Sequence, residues 1–441
     1  MESTMRHSLI LTILLVTFSA SPVHSMEIGP SDDLEAAVAA LNPGDELVLL
    51  GGTYLFDENI TLLANGTESE PITIRAKDGE QPLLTQATNQ QNVVEINGSS
   101  HLVIRGIRFT GGSHGIRLIN SSYITIEDCE VFETGDVAIS ANSGGTYEGL
   151  KILRNNIHHT NGTGEGMYLG CNNDNCRIAN SLIEANYVHH TNRSTVSQGD
   201  GIEIKEGSYG NIIRDNVIHD TNYPGILVYS TAGNGPANVI ERNVIWNVND
   251  NTVQMAADSV FRNNIVFGNV AMQSHQSGSP SNIEFIHNTV ISSGNAVDVR
   301  DVSGPVLIAN NAIYALGSAI RLMSGDIGQV QVTGNVGEGG TSGVSSGYKE
   351  GKGISNDMLN ANYSGIPPID VFPTVDGALI GAGSLNFAVI EDFNGTPRSG
   401  TVDAGAYSFQ AGGNPGWQIG EGFKSTVAAT RPNPPKDVSA E

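Results

Sequence analysis

The sequence predicts an all-β chain wound as a right-handed parallel β-helix (solenoid), with a short capping helix at its N-terminal end. Three observations predict it. A short phrase centred on asparagine recurs on Asn156, Asn186, Asn216, Asn243, Asn264, Asn288 and Asn311, at intervals of 30, 30, 27, 21, 24 and 23 residues. Nine five-residue runs, from Gly115–Ile119 to Ala319–Met323, share an apolar second member, and all but Ala271–His275 an apolar fourth. These runs are short and β-branched, without helical spacing, as expected of a stacked coil and not of a sandwich.

Residues 1–25 read as a secretory signal, with Arg6 and His7, an apolar stretch Leu9–Phe18, and cleavage expected after Ser25. The apolar stretch is too short to span a bilayer, so a secreted chain, extracellular or periplasmic, is expected with no membrane span. One β-helix domain is expected over 26–410, followed by a disordered tail, 411–441, rich in Gly, Pro and charge. A monomer is expected. The formal charge of −24 argues against a nucleic-acid partner, because binders of phosphate polymers carry a basic footprint.

Taken in order, Asp32 and Glu35 have the spacing of a capping box ahead of Ala36–Ala40, a short helix plugging the open end of the coil. Pro43-Gly44-Asp45 turns into a strand over Glu46–Leu50, and Pro71–Arg75 forms another early rung. Within the repeat, the asparagines are expected as a buried ladder, with Cys129 and Gly106 in the same slot upstream. Cys129 is then a buried structural thiol. Cys171 and Cys176 could close a small loop. Glu391–Phe409 is expected to close the far end.

Period-two alternation turns the third and fifth members of the nine runs outward. That file carries Tyr168, Glu203, Lys205, Tyr229, Gln254, Gln273, His275, Asp298 and Arg300. From Tyr168 to His275 it spans about 19 Å at rung spacing, a groove several sugars long. Glu165 and Asp200 occupy equivalent glycine-flanked turns on adjacent rungs. Across the turn stand His159, His189, His219 and Trp246, with His158, His190 and Asp220 beside them; an aromatic stack holding the turn is the plain reading, a groove wall the functional one. The Glu203/Lys205 pair could be a surface ion pair, but its company of Asp200, Glu165, Tyr168, Tyr229 and His219 favours chemistry. Long loops, Cys171–Cys176 and Thr191–Gln198, surround the same rungs.

These residues carry a resemblance. Leu41–Leu49, Gly51–Tyr54 and Pro71–Ala76 resemble the opening rungs of secreted β-helix polysaccharide lyases, including the chondroitinase B and alginate lyase family. Asp200-Gly-Ile-Glu-Ile-Lys205 resembles the Asp-Gly-Phe-x-x-Lys rung of the calcium-dependent β-helix pectate lyases. The resemblance implies Lys205 as base and Asp200 as a calcium ligand, with Glu203 and Glu165 added by position. Two departures stand out: the next rung holds Tyr229 where the alginate lyases have arginine, and Tyr223-Pro224-Gly225 replaces a second Asp cluster.

The implied reaction is β-elimination on an acidic, uronic-acid polysaccharide such as alginate or pectate, with Ca2+ as cofactor. Nearby carboxylates alone would keep Lys205 protonated, so a lysine base requires the cation. Tyr229, Tyr168 or His219 could supply the proton to the leaving oxygen, while Tyr168, Gln254, His275, Arg300 and His189 would contact substrate. A glycoside hydrolase on Asp200, Glu203 and Asp220, or a non-catalytic sugar binder with Tyr168, Tyr229 and Trp246 as platforms, are the rival readings.

Overall fold

The computed structural model describes residues 24–398 and 400–425. The expected signal segment lies outside them except for His24 and Ser25, and so does 426–441. The described chain is a parallel β-helix. Thirteen strands, from Ser25–Ile28 and Glu46–Leu49 to Val330–Thr333, pair in parallel to form one face. Two further parallel ladders complete the coil. One runs through Asn156–His158, Tyr187–Thr191 and Val217–Thr221; the other runs through Met167–Leu169, Ile202–Ile204 and Ile226–Val228. Among the described residues no helix is long and apolar enough to cross a membrane.

Inward residues explain the coil. Ile152, Ile183, Ile213, Ile240, Phe261, Phe285 and Ile308 lie in register on the first face and are all buried. Each fills the space above its neighbour, and the Phe261 and Phe285 rings stack at 5.4 Å between centroids. A rung buries its apolar side only against the next, so the repeat stands or falls as a stack.

The asparagine ladder forms, with one slip. Asn186 Nδ2 donates to Asn216 Oδ1 at 3.0 Å, and the same bond continues through Asn243, Asn264, Asn288 and Asn311 to Asn335. At the top of the run it is Asn155, not Asn156, that donates to Asn186. Asn156 faces outward. The slot above Asn155 is held by Cys129, buried as expected, and then by Ile107 in place of Gly106, because Glu130 pairs with Arg108. The residue before each ladder position, from Arg154 to Asn310, sits in the left-handed region, with φ between 54° and 58°. That kink turns the amide inward.

One of those kinked residues is His287, fully buried, whose Nε2 accepts a hydrogen bond from Asn310 Nδ2 at 3.1 Å. Burial, then the charge of Arg398, holds its pKa well below the usual value. Protonation would set one N–H against another. In the unfolded chain His287 titrates near 6.5, so below that pH the unfolded state binds the extra proton and stability falls, by up to about 1.4 kcal/mol per pH unit. His287→Gln is expected to flatten the decline in denaturation midpoint between pH 6 and pH 4; an unchanged slope would remove His287 from that role.

Both ends differ from expectation. The helix is Leu34–Ala39, and its cap is Asp33, which accepts from Ala36 N at 3.0 Å; Asp32 accepts from Gly29 N and Glu35 from Thr61 N, so no capping box closes. Glu391–Phe409 does not plug the far end. It returns along the flank, with Gly405 N on Asn310 O, Ala406 N on Thr289 Oγ1 and Arg398 on Asn263 Oδ1. Residues 411–425, expected in the disordered tail, continue that strap. Lys424 is buried and reaches Asp215 Oδ1 at 2.8 Å. Outward apolar residues at Val217, Val244 and Ile265 explain it, since they form a second core with Phe372, Phe393 and Tyr407.

Candidate active site

Register puts Tyr168, Glu203, Leu227, Gln254, Ala271 and Asp298 in one outward file. One file along, at the strand ends, lie Lys205, Tyr229, Gln273 and Arg300, tied to the preceding rungs by backbone bonds. Here the sequence reading slipped by two residues: Ala271, not Gln273, pairs with Gln254, because that rung is shorter. His275 therefore sits in a loop beyond the strand. Its ring still reaches the site, 4.6 Å from that of Tyr229.

Glu165 and Asp200 enter from the turns before Met167–Leu169 and Ile202–Ile204. Gly164 and Gly199, at φ 84° and 81°, make the left-handed turns that aim them inward. Both carboxylates and that of Glu203 are buried, and one oxygen from each lies within 4.8 Å of the others. Glu165 Oε1, Asp200 Oδ1 and Glu203 Oε2 have no hydrogen-bond partner. Three buried acids gathered this closely, each with an unpaired oxygen, repel one another when ionised. Burial, then the charges of Glu203 and Glu165, raises the Asp200 pKa well above its usual value. Burial chiefly pushes Glu165 up to about 7. Thr163 Oγ1 is 2.5 Å from both Asp136 Oδ1 and Glu165 Oε2. A hydroxyl has one proton to give, so a protonated Glu165 satisfies both contacts.

The other oxygen of Glu203 holds the lysine. Lys205 Nζ is 2.7 Å from Glu203 Oε1 and 3.1 Å from Tyr229 OH, and Tyr229 OH donates to the same Oε1 at 3.1 Å. The ammonium also lies over the rings of Tyr229 and Tyr168, 4.4 and 4.7 Å from their centroids. Lys205 is only 4% exposed. Burial, then the Glu203 charge, drives the Tyr229 pKa far up, so its phenol stays protonated. Glu203 thus has one oxygen on a candidate base and one in the acidic cluster.

The orphan oxygens fit a hard cation. Oxygen-only, anionic donors suit Ca2+, and the residues present would hold it through Glu165, Asp200 and Glu203.

A wall flanks the lysine. Cys171 and Cys176 are joined by a disulfide. The loop they close meets the 274–279 loop: Asn173 N donates to Gln276 Oε1 at 3.0 Å, and Gln276 Nε2 to Asn172 Oδ1 at 2.7 Å. Asn234 Nδ2 reaches Asp174 at 3.0 Å. Sequence reasoning named the first loop but not its partners, which lie 60 and 103 residues away. Thr163, two residues from Glu165, and buried Glu206, next to Lys205, were also missed; adjacency was the only signal.

The remaining residues divide. Gln254 accepts from Gln273, and Arg300 pairs with Asp298 at 3.3 Å while staying part exposed at the far end of the file. His219 and His189 are not brought to the carboxylates. His219 is fully buried with Nδ1 on Asp220 Oδ2 at 2.5 Å and Nε2 on Tyr187 OH at 2.8 Å, so both nitrogens are committed and it cannot serve as the expected acid. His189 stacks between His158 and His219, which removes it from the substrate contacts. The aromatic-stack reading holds for this column, which ends with Trp246 stacked 4.4 Å from His219. Buried Trp246 and Tyr229 offer no sugar platform, and Asp220 is taken by His219 and Asn247.

Residues 24–296 match the family described as Pel9A-like, right handed beta helix region. Pectate lyase PEL9 of Emericella nidulans is 25% identical over 186 residues, which is 42% of this chain and 41% of that protein. The match thus spans less than half of that relative. Among solved structures, pectate lyase Pel9A aligns over 88% of this chain and 98% of its own at 15% identity, TM-score 0.46. XylC in complex with xylose aligns over 88% and 98% at 9% identity, TM-score 0.59. The likeness to XylC speaks to the fold alone.

Proposed function

We propose, for a chain that belongs to the Pel9A-like right-handed β-helix family, that it is a secreted polysaccharide lyase acting as a monomer on a uronic-acid polymer such as pectate or alginate. Glu165, Asp200 and Glu203 would hold Ca2+, and Lys205 is the base. The observation that carries this reading is the divided Glu203 carboxylate, with Oε1 on Lys205 and Oε2 among the orphan oxygens. Export rests on the signal at residues 1–25, and the Cys171–Cys176 disulfide is in keeping with an oxidising compartment.

When bound, the cation offsets the carboxylate charges and that of the substrate uronate, acidifying the adjacent C–H. In its neutral amine form, Lys205 Nζ takes that proton. The released electron pair becomes the C4–C5 double bond as the bond to the glycosidic oxygen breaks. Tyr229 gives its phenolic proton to the leaving oxygen, and its burial keeps that proton in place beforehand. Lys205 then returns a proton to Tyr229 across their 3.1 Å contact, resetting both groups. Tyr168 lines the base, while Arg300 and Gln254, with His275 from its loop, contact sugars beside it. A hydrolase reading is weaker, because Asp220 lies in the histidine column and not with Asp200 and Glu203.

The purified chain is expected to raise ultraviolet absorbance and reducing ends together on one of pectate, alginate or the glycosaminoglycans, and neither on neutral glycans. Reducing ends without absorbance would mean hydrolysis and end the elimination mechanism.

A further inference from the structure

The elimination chemistry leaves the histidine column unused. On two successive rungs an inner and an outer histidine stand side by side: His158 with His159, and His189 with His190. Within each pair Nδ1 faces Nδ1 at 2.7 Å. The rings of a pair are close to perpendicular, at 86° and 81°. Inner rings stack on inner and outer on outer, with 4.8 and 4.7 Å between centroids. A stack that only covered apolar surface would need one ring per rung. Here two rings per rung turn their nitrogens toward a common seam.

The inner rings are oriented from behind. His189 Nε2 lies 3.1 Å from Asn156 Oδ1, and His158 Nε2 lies 3.2 Å from Glu130 Oε1. Those oxygens accept, which puts the proton of each neutral inner ring on Nε2, so that its Nδ1 accepts the outer ring's Nδ1–H across the 2.7 Å contact, and an ion in the seam takes the place of that proton. An oxygen acceptor behind the far nitrogen is how metal-binding imidazoles are held in tautomer and direction. His159, His189 and His190 each bring a ring nitrogen within 4.8 Å of the others. His189 is buried, whereas the outer rings are part exposed, so an ion can enter from solvent. The next seam also gathers His190, His219 and Asp220, but there the His219 Nδ1 contact is to the Asp220 carboxylate and not to a second imidazole.

We infer that His159, His189 and His190 form a second metal site, which takes one divalent ion of the imidazole-preferring kind, Zn2+, Cu2+ or Ni2+. Its nitrogen donors separate it from the oxygen cluster, which suits Ca2+. The site has a position that matters. The rung of His158 and His159 runs on into Glu165, and the rung of His189 and His190 runs on through 191–199 into Asp200. An ion joining these two rungs pins the pair of turns from which the two acids project.

The test uses tag-free full-length protein, stripped with a chelator and returned to millimolar Ca2+. Titration with Zn2+ by calorimetry, and with Cu2+ by electron paramagnetic resonance, should find one ion per chain with nitrogen hyperfine couplings. His159→Gln and His190→Gln, both at part-exposed positions, should each weaken binding at least about tenfold with unchanged circular dichroism. Glu203→Gln should leave it unaltered, which separates this site from the calcium cluster. Absence of micromolar binding, oxygen-only couplings in the parent protein, or affinity unchanged in both histidine variants would each overturn the assignment. The copper spectrum of the parent decides the matter even if a variant fails to fold.

Discussion

Lys205→Ala should lower turnover on the cleaved polysaccharide by about 10²- to 10⁴-fold, the usual worth of a positioned general base, with little change in KM. The ammonium is buried, held by Glu203 and Tyr229 and overlaid by two rings, so its removal leaves Glu203 Oε1 with only the tyrosine donor. Ca2+ can take up that freed charge, and the variant should fold. Lys205→Arg is the sharper comparison. It keeps the positive charge and can refill the contact with Glu203, yet a guanidinium does not give up its proton near neutral pH. Loss of turnover in both variants, with substrate still retained, marks a base. Arginine activity close to the parent would reduce Lys205 to an electrostatic support.

Chelation should abolish cleavage, and Ca2+ should restore it while Mg2+ does not, because three convergent carboxylates suit a large, flexible oxygen shell better than a strict octahedron. Asp200→Asn should raise the Ca2+ concentration needed. The same ion should stabilise the fold, by about 2.7 kcal/mol at a hundred times its Kd, read as a shift in denaturation midpoint. The gain has a pH dependence of known sign. In the chelated protein, Glu165 is pushed up to about 7 and Asp200 is raised as well. The folded state therefore holds protons that the unfolded chain has released, and chelated stability drops as pH rises from about 4.5 toward 7. Calcium removes that loss, so its stabilising effect should be larger at pH 8 than at pH 5. An equal effect at both would mean the ion does not sit among these acids.

Much of this site could be read from the chain alone, for a definite reason. Alternation along a strand tells which side chains leave the coil, and a repeat tells which of them share a file; Glu203, Lys205 and Tyr229 follow from those two facts. The slips occur where either fact is ambiguous. Asn155 and Asn156 are adjacent, and a one-residue choice between them exchanges inside for outside. At Ala271 the rung is shorter, so counting from the apolar pattern placed His275 on a strand it does not reach. Contacts made between loops, such as Asn172 with Gln276, carry no periodic trace. The return of residues 391–425 along the flank was hidden likewise, since its partners on the coil are up to 209 residues distant, as in Lys424 with Asp215.

The asparagine ladder holds one hydrogen-bond length, 2.9 to 3.1 Å, while the chain between its successive members measures 31, 30, 27, 21, 24, 23 and 24 residues. Stacking is therefore indifferent to what each coil carries outside it. Loops on this scaffold can lengthen, shorten or be exchanged among coils without altering the pitch. New recognition surfaces can thus be grafted beside the carboxylates while the interior stays as it was, and in this molecule the added length falls on the coils that bear Glu165 and Asp200.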